Sequence, residues 1–238
     1  MVMNWEKKIL LVCAGGFGTS MLVRKKMEQD YKVEIIDVIS AFQISDYNFK
    51  DNNVQRVVNE ITSRGWTNGL HKSAGKDTFE NELKRLNTSG TIINRNHYLL
   101  TELPTTFEAL QNAGVQIDCT MGFPENIGFR NSYGLPIQPF NFTTKSPYAF
   151  IEVPLHVMDT TLKYYNGQNA QQAANTILQF LENNKSNALI SVLWHNNYFF
   201  DYADTGWITT YKTILQFIRE NKFEVITPEQ IAATYRLS

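Results

Sequence analysis

Cysteine is scarce in this chain: Cys13 and Cys119 are the only two, and they fall in different strand-like segments. Such a pair predicts no disulfide framework and suits free thiols in a reducing compartment. Long apolar runs are missing as well. No stretch approaches the ~20 residues of a membrane-spanning helix, and Ile9–Val12 is too short for the core of a signal peptide. A cytoplasmic location with no membrane partner is expected. Nor does one sign of charge dominate. The 22 Lys+Arg and 23 Asp+Glu leave a formal net charge of −1, and the basic residues never form a run, which removes the electrostatic case for nucleic acid. No internal repeat is found, and no Gly-, Ser- or Pro-rich stretch separates two halves, so one folded unit over 1–238 is expected. Aromatic residues are plentiful: 15 Phe and 11 Tyr suit a carbohydrate-facing cleft and an ordinary core equally.

The stretch Lys7–Ser20, K-K-I-L-L-V-C-A-G-G-F-G-T-S, reads as a strand, a glycine-rich turn and a helix start. The short apolar run Ile9–Val12 suits a parallel strand covered on both faces. Gly15, Gly16 and Gly18 can take positive φ, and Thr19 and Ser20 are candidate caps for a helix over 21–28. Such a turn aims unpaired N–H groups at one point beside the Cys13 thiol. Cys13, Gly15, Gly16, Gly18, Thr19 and Ser20 thus form a candidate phosphate-binding set. A phosphatase of the Cys-x5-Arg kind would need arginine where Thr19 stands, so a phosphate-accepting cysteine fits better.

Strand and helix patterns then alternate. Strands are expected at 32–39, 66–71, 91–94, 116–120, 149–158, 188–194 and 223–226, and helices at 54–63, 77–86, 105–113, 168–183, 207–220 and 228–235. Asp77 is the expected cap of the second of these helices, and a long irregular loop covers 121–148. About eight strands alternating with six or seven helices predict an α/β fold, a distorted (β/α) barrel of about seven or eight parallel strands.

Catalytic groups in such barrels gather where strands end. His71, His97 and His195 fall at strand ends, with Arg95, Asp118 and Asp159 beside them, while His156 lies within a strand and reads as structural. Metal is only weakly signalled by spacing. No two histidines form a short-spaced ligand pair, and four residues after His71 stands Gly75.

Two family resemblances follow. Residues 7–27, K-K-I-L-L-V-C-A-G-G-F-G-T-S-M-L-V-R-K-K-M, closely resemble the start of the enzyme IIB proteins of the sugar phosphotransferase system (PTS), of the lactose/cellobiose type. This resemblance implies that Cys13 is phosphorylated and that the following loop cradles the phosphate. From about residue 54 onward the chain resembles a divergent bacterial polysaccharide deacetylase. That likeness rests on Gly69-Leu70-His71-Lys72-Ser73, Arg95-Asn96-His97-Tyr98-Leu99, Ile117-Asp118-Cys119-Thr120, Gly128-Phe129-Arg130-Asn131, Glu152-Val153-Pro154-Leu155 and Leu193-Trp194-His195-Asn196.

The second resemblance implies a distorted barrel and N-deacetylation of an amino-sugar polymer with a divalent, zinc-like metal. His71 matches the first histidine of the metal motif, Arg95 the arginine of the next, and His195 the proton-donating histidine; His97, Asp118 and Arg130 would line the same mouth. The family's first strand ends in an aspartate pair, whereas here it ends in Val12-Cys13-Ala14, and Gly75 replaces the second histidine. The expectation is therefore a composite chain, natural or engineered. A IIB-like 1–45 segment completes a deacetylase-like barrel over 46–238, degenerate or inactive as a hydrolase. The alternatives are a phosphocarrier using Cys13 and a binding or engineered protein without turnover. The expected partner is a carbohydrate or a phosphate-bearing small molecule.

Overall fold

The structure is a computed structural model that describes residues 7–14, 36–39, 51–63, 68–86, 92–199 and 205–235. One parallel sheet organises them. Its strands are β1 (Lys8–Ala14), β2 (Ile36–Ile39), β3 (Asn68–Lys72), β4 (Ile93–Asn96), β5 (Ile117–Asp118), β8 (Ile151–Glu152), β9 (Val157–Met158), β10 (Leu189–His195) and β11 (Glu224–Val225). A separate antiparallel pair, β6 (Phe140–Asn141) and β7 (Ser146–Pro147), stands in the long loop that was expected to be irregular. The helices are α1 (Asn52–Ser63), α2 (Phe79–Leu86), α3 (Thr105–Asn112), α4 (Ala170–Asn184), α5 (Trp207–Glu220) and α6 (Pro228–Thr234). Among the described residues, no helix is long and apolar enough to cross a membrane.

β1 pairs with β10 along its whole length, from Lys8 opposite Leu189 to Ala14 opposite His195. Its other edge is shared, with Lys8 and Ile9 on β11 and Val12–Ala14 on β2. From there the order runs β2-β3-β4-β5-β8.

The sheet is closed by a single extended run, 151–158. Its first half, β8, pairs with β5 and its second half, β9, with β10. Between them Leu155 bridges Gly122 in parallel, and the His156 N–H reaches Ser191 O at 3.4 Å. The expected strand over 149–158 is thus interrupted at Pro154, which has no N–H to give to a ladder. Because one run belongs to both edges, β1 to β5, this run and β10 form a ring of seven, in agreement with the expected barrel.

Alternation along the strands separates two cores. Ile9, Leu11, Ile190, Val192 and Trp194 face outward onto Ala173, Ile177 and Leu181 of α4 and Trp207, Tyr211, Ile214 and Ile218 of α5. Each such fully buried side chain contributes about 1.5–3 kcal/mol. Leu10, Leu189 and Leu193 face the interior with Ile93, Ile117, Ile151, Leu155 and Ile226.

Local signals account for the helix starts. Asn169 with Gln172, and Thr227 with Gln230, form reciprocal capping boxes at α4 and α6. At α2 the expected cap is corrected: the Thr78 hydroxyl, not Asp77, accepts the Asn81 N–H, at 3.3 Å. Asp77 instead accepts the Thr78 N–H and the Asn81 amide. The strand expected over 91–94 lies at 93–96, so Arg95 and Asn96 belong to β4 itself. Of the expected second strand, 36–39 is present and 32–35 lies outside the described residues.

A Cβ at Gly122 would stand 2.9 Å from both the Cβ and the carbonyl oxygen of Leu155. Gly122→Ala is therefore expected to push the closing run off β5 and to cost about 1–3 kcal/mol in urea denaturation.

Candidate active site

The C-terminal ends of β3, β4, β9 and β10 surround a cleft lined by His71, Arg95, His97, Thr160 and His195, with Met158 and Leu193 beneath and the exposed Tyr98 and Tyr165 at its rim. His195 ends β10, and Asp159 follows β9 directly. Because these strands are paired Leu193 to Met158, imidazole and carboxylate arrive side by side. Asp159, fully buried, accepts from His195 Nδ1 at 2.6 Å, from the Thr160 N–H at 2.6 Å and from the His195 N–H. With Nδ1 committed to the carboxylate, Nε2 is the nitrogen left for proton transfer in the cleft.

His71 Nδ1 lies 2.9 Å from Arg95 O. A carbonyl only accepts, so Nδ1 carries the hydrogen and Nε2 the lone pair. The loop after it is held by Glu82 of α2. This fully buried carboxylate takes the Ser73 hydroxyl at 2.6 Å, the Ser73 N–H at 3.0 Å and Lys72 Nζ at 2.9 Å. His97 lies 4.9 Å from His71 between ring centroids, and the Tyr98 ring stacks on it at 3.9 Å. Tyr98 and Leu99 have φ of 57° and 54°, a left-handed turn that costs non-glycine residues on the order of 1–3 kcal/mol each. Asn96 holds that turn from below, its Nδ2 donating to Leu100 O at 2.6 Å.

Burial, and then the Arg95 guanidinium, hold His71 well below the usual imidazole range. His97 is lowered by burial first, then by His195 and Arg95. Both are neutral imidazoles at neutral pH.

Other expected site residues are placed elsewhere. Asp118 is buried in the barrel interior, where it accepts from Asn94 Nδ2 at 2.7 Å and Thr120 Oγ1 at 2.8 Å, and it is not among the residues lining the cleft. Arg130 ties its own loop through Nη1 to Gly122 O at 3.0 Å and does not line the cleft either. Asp118 ends β5 with its side chain buried, whereas Arg130 stands half-buried in the long loop. Glu152 was quoted only as part of a motif; it is fully buried and adjoins Asp118. Nothing in its spacing marks it, since its partner comes from another strand. His156 is structural as expected. Its Nδ1 accepts the Ser191 N–H at 3.1 Å, and burial pushes it down to about 3. Of the phosphate-binding set, Gly15, Gly16, Gly18, Thr19 and Ser20 lie outside the described residues, and so does the side chain of Cys13.

The resemblance implies a divalent metal. Among the described residues no three His, Cys, Asp or Glu side chains come together as a ligand set. His71, with its Nδ1–H on a carbonyl, keeps Nε2 as one ligand, but the position of its motif partner is the exposed Gly75, and Asp159 is filled by other donors. The described residues do not complete a metal site.

No family model matches the chain, and no curated protein does. Solved structures do match. The Xyl-CE4 domain of a multidomain xylanase from the hindgut metagenome of Trinervitermes trinervoides aligns with 98% of this chain and 93% of its own, at 10% identity and a TM-score of 0.57. The chain has the α/β fold of such barrels. The chitin deacetylase of the fungal pathogen Colletotrichum lindemuthianum aligns with 96% of this chain and 92% of its own, at 12% identity and a TM-score of 0.57. A 4-α-glucanotransferase from Thermococcus litoralis aligns with 98% of this chain but 41% of its own, at 10% identity and a TM-score of 0.60. At these identities the likeness establishes the fold and leaves the chemistry to the site. The IIB resemblance and the composite origin gain no support from these comparisons.

NMR titration is expected to show His156 protonating near 3, and His71 and His97 below the ordinary value of about 6.5. Arg95→Met should move His71 and His97 upward. All three are lowered on folding, so the unfolded chain binds protons first as pH falls. Their contribution to stability is present above about 6.5 and is lost on acidification below it.

Proposed function

We propose that the chain binds an N-acetylated amino sugar of a carbohydrate in this cleft and acts as a deacetylase-type hydrolase: water adds to the acetamido carbonyl, its proton passes by way of His195 Nε2 to the departing amine, and acetate leaves. The single observation that carries the reading is the Asp159–His195 pair, held at 2.6 Å at the mouth of the barrel. A buried carboxylate on Nδ1 fixes the tautomer and stabilises the imidazolium, so Nε2 can carry a proton to a leaving group. The exposed tyrosines at the rim offer flat faces to a sugar ring. The fold shared with a chitin deacetylase supports the same substrate class. Arg95 would neutralise charge developing on a carbonyl oxygen, and His71 and His97 would orient the acetamido group by hydrogen bonds.

A second reading is carbohydrate binding without turnover. One assay separates the two. Acetate release is measured from N-acetylglucosamine oligomers, with and without added zinc or cobalt, alongside calorimetric binding of the same oligomers. Release by the native chain, reduced about 10²–10⁴-fold in His195→Ala, establishes the hydrolase. Binding with no release establishes the second reading, and neither binding nor release overturns both.

A further inference from the structure

We infer that Asp118 and Glu152 share a single proton inside the barrel, and that this acid–carboxylate pair positions the cleft through Asn94 and Asn96. The inference goes beyond the proposed reaction and rests on none of its steps. Strand register sets the two residues opposite each other on β5 and β8, with side chains 1% and 0% exposed. Each carboxyl group has one oxygen on neutral donors. Asp118 Oδ1 accepts from Asn94 Nδ2 and the Thr120 hydroxyl, and Glu152 Oε1 accepts the Met121 N–H at 2.8 Å. The remaining oxygens, Asp118 Oδ2 and Glu152 Oε2, are buried without a donor among the described residues, and the strand register sets the two carboxyl groups side by side. Two carboxylates have no hydrogen to share, so one group must be an acid.

Glu152 is the acid, because Asp118 accepts from two side-chain donors, Asn94 and Thr120, against a single N–H at Glu152. Burial, and then the Asp118 charge, also raise Glu152 well above the usual carboxylate range. Oε2–H of Glu152 therefore donates to Oδ2 of Asp118. The charged and titratable groups around the pair do not replace this proton. Arg130, from the long loop, favours an ionised Glu152 but has its Nη1 on Gly122 O. Arg95, on β4, acts on the neighbouring Cys119. The Cys119 thiol itself is pushed far up by burial and by both carboxyl groups.

From the pair a chain of hydrogen bonds leads to the cleft. Asn94 Nδ2 bridges Asp118 Oδ1 and Asn96 Oδ1, at 2.7 and 3.0 Å. The Thr120 hydroxyl donates to Asp118 and accepts the Asn96 N–H at 3.0 Å. Asn96 in turn lines the cleft and holds the turn that presents His97 and Tyr98. Asp118 and Glu152 touch no cleft ligand; they act through the two asparagines.

The linkage has a definite sign. A raised pKa in the fold means that the native chain holds a proton that the unfolded chain has released. Stability is then fully present below the ordinary carboxylate value of about 4.3 and falls as pH rises through the window up to the raised value, by at most about tenfold in the unfolding constant per pH unit.

Difference infrared spectroscopy of the full chain tests the pair. The expected result is a carbonyl stretch of a protonated carboxylic acid at neutral pH in the native protein. The band should be missing from Glu152→Gln and from Asp118→Asn, whose amide can donate to an ionised Glu152. In urea unfolding, the stability of the native chain relative to Asp118→Asn should fall as pH rises from about 4.3, because the histidine dependence is common to both and only the native chain carries that of the pair. Absence of the band from the native protein, or its survival in both variants, overturns the inference. Should neither variant fold, the native protein decides. A band that titrates away within the ordinary carboxylate range overturns the sharing, and one that persists to neutral pH supports it.

Discussion

The run 151–158 is hydrogen-bonded to β5 on one side and to β10 on the other, and the rest of the molecule depends on that double pairing. It closes the sheet. It also carries one carboxyl residue at its start, Glu152, and delivers another just past its end, Asp159. The register with β5 places Glu152 against Asp118, and the register with β10 places Asp159 against His195. A slip of one residue would turn both carboxyl groups to the other face of the sheet. Pro154 and the close approach of Gly122 to Leu155 work against such a slip, because each tolerates few alternative neighbours.

The two carboxyl groups meet opposite fates because their donors differ. Asp159 receives two backbone N–H groups and an imidazole nitrogen. Glu152 receives one N–H and stands against a second carboxyl group. The outer group therefore stays available to hold an imidazolium, and the inner one is spent on structure. Similar chemistry a few residues apart in one strand is divided by solvent and partner, not by residue type.

Much of this was legible in the sequence, and the reasons differ by element. α5 was read as 207–220 and is Trp207–Glu220, because its apolar spacing and the turn before Trp207 are local signals. The delivery of His195 by an apolar strand was equally local. Asp118 was misplaced for a physical reason. A strand-end position in sequence fixes a residue's height in the barrel, while the direction of its side chain depends on which neighbours can satisfy it; Asn94 and Thr120, on β4 and after β5, capture it for the interior. Glu152 was passed over because its partner is supplied by strand pairing, which no short motif encodes. The left-handed turn at Tyr98 and Leu99 had no glycine to announce it, and it persists because Asn96 grips Leu100 O from below.

The fold itself chooses among chemistries only weakly, as its likeness to both a deacetylase and part of a glucanotransferase shows. What distinguishes this mouth is the character of its donors. His71 and His97 are kept neutral by burial and by Arg95, so they can donate or accept hydrogen bonds without adding charge. Among the described residues, the buried carboxylate nearest the cleft reaches it through His195 rather than directly. Among the described residues the cleft thus combines a fixed cation, neutral imidazoles and one carboxylate-backed imidazole. That set is suited to holding a polar, uncharged group such as an acetamide and passing a proton to it.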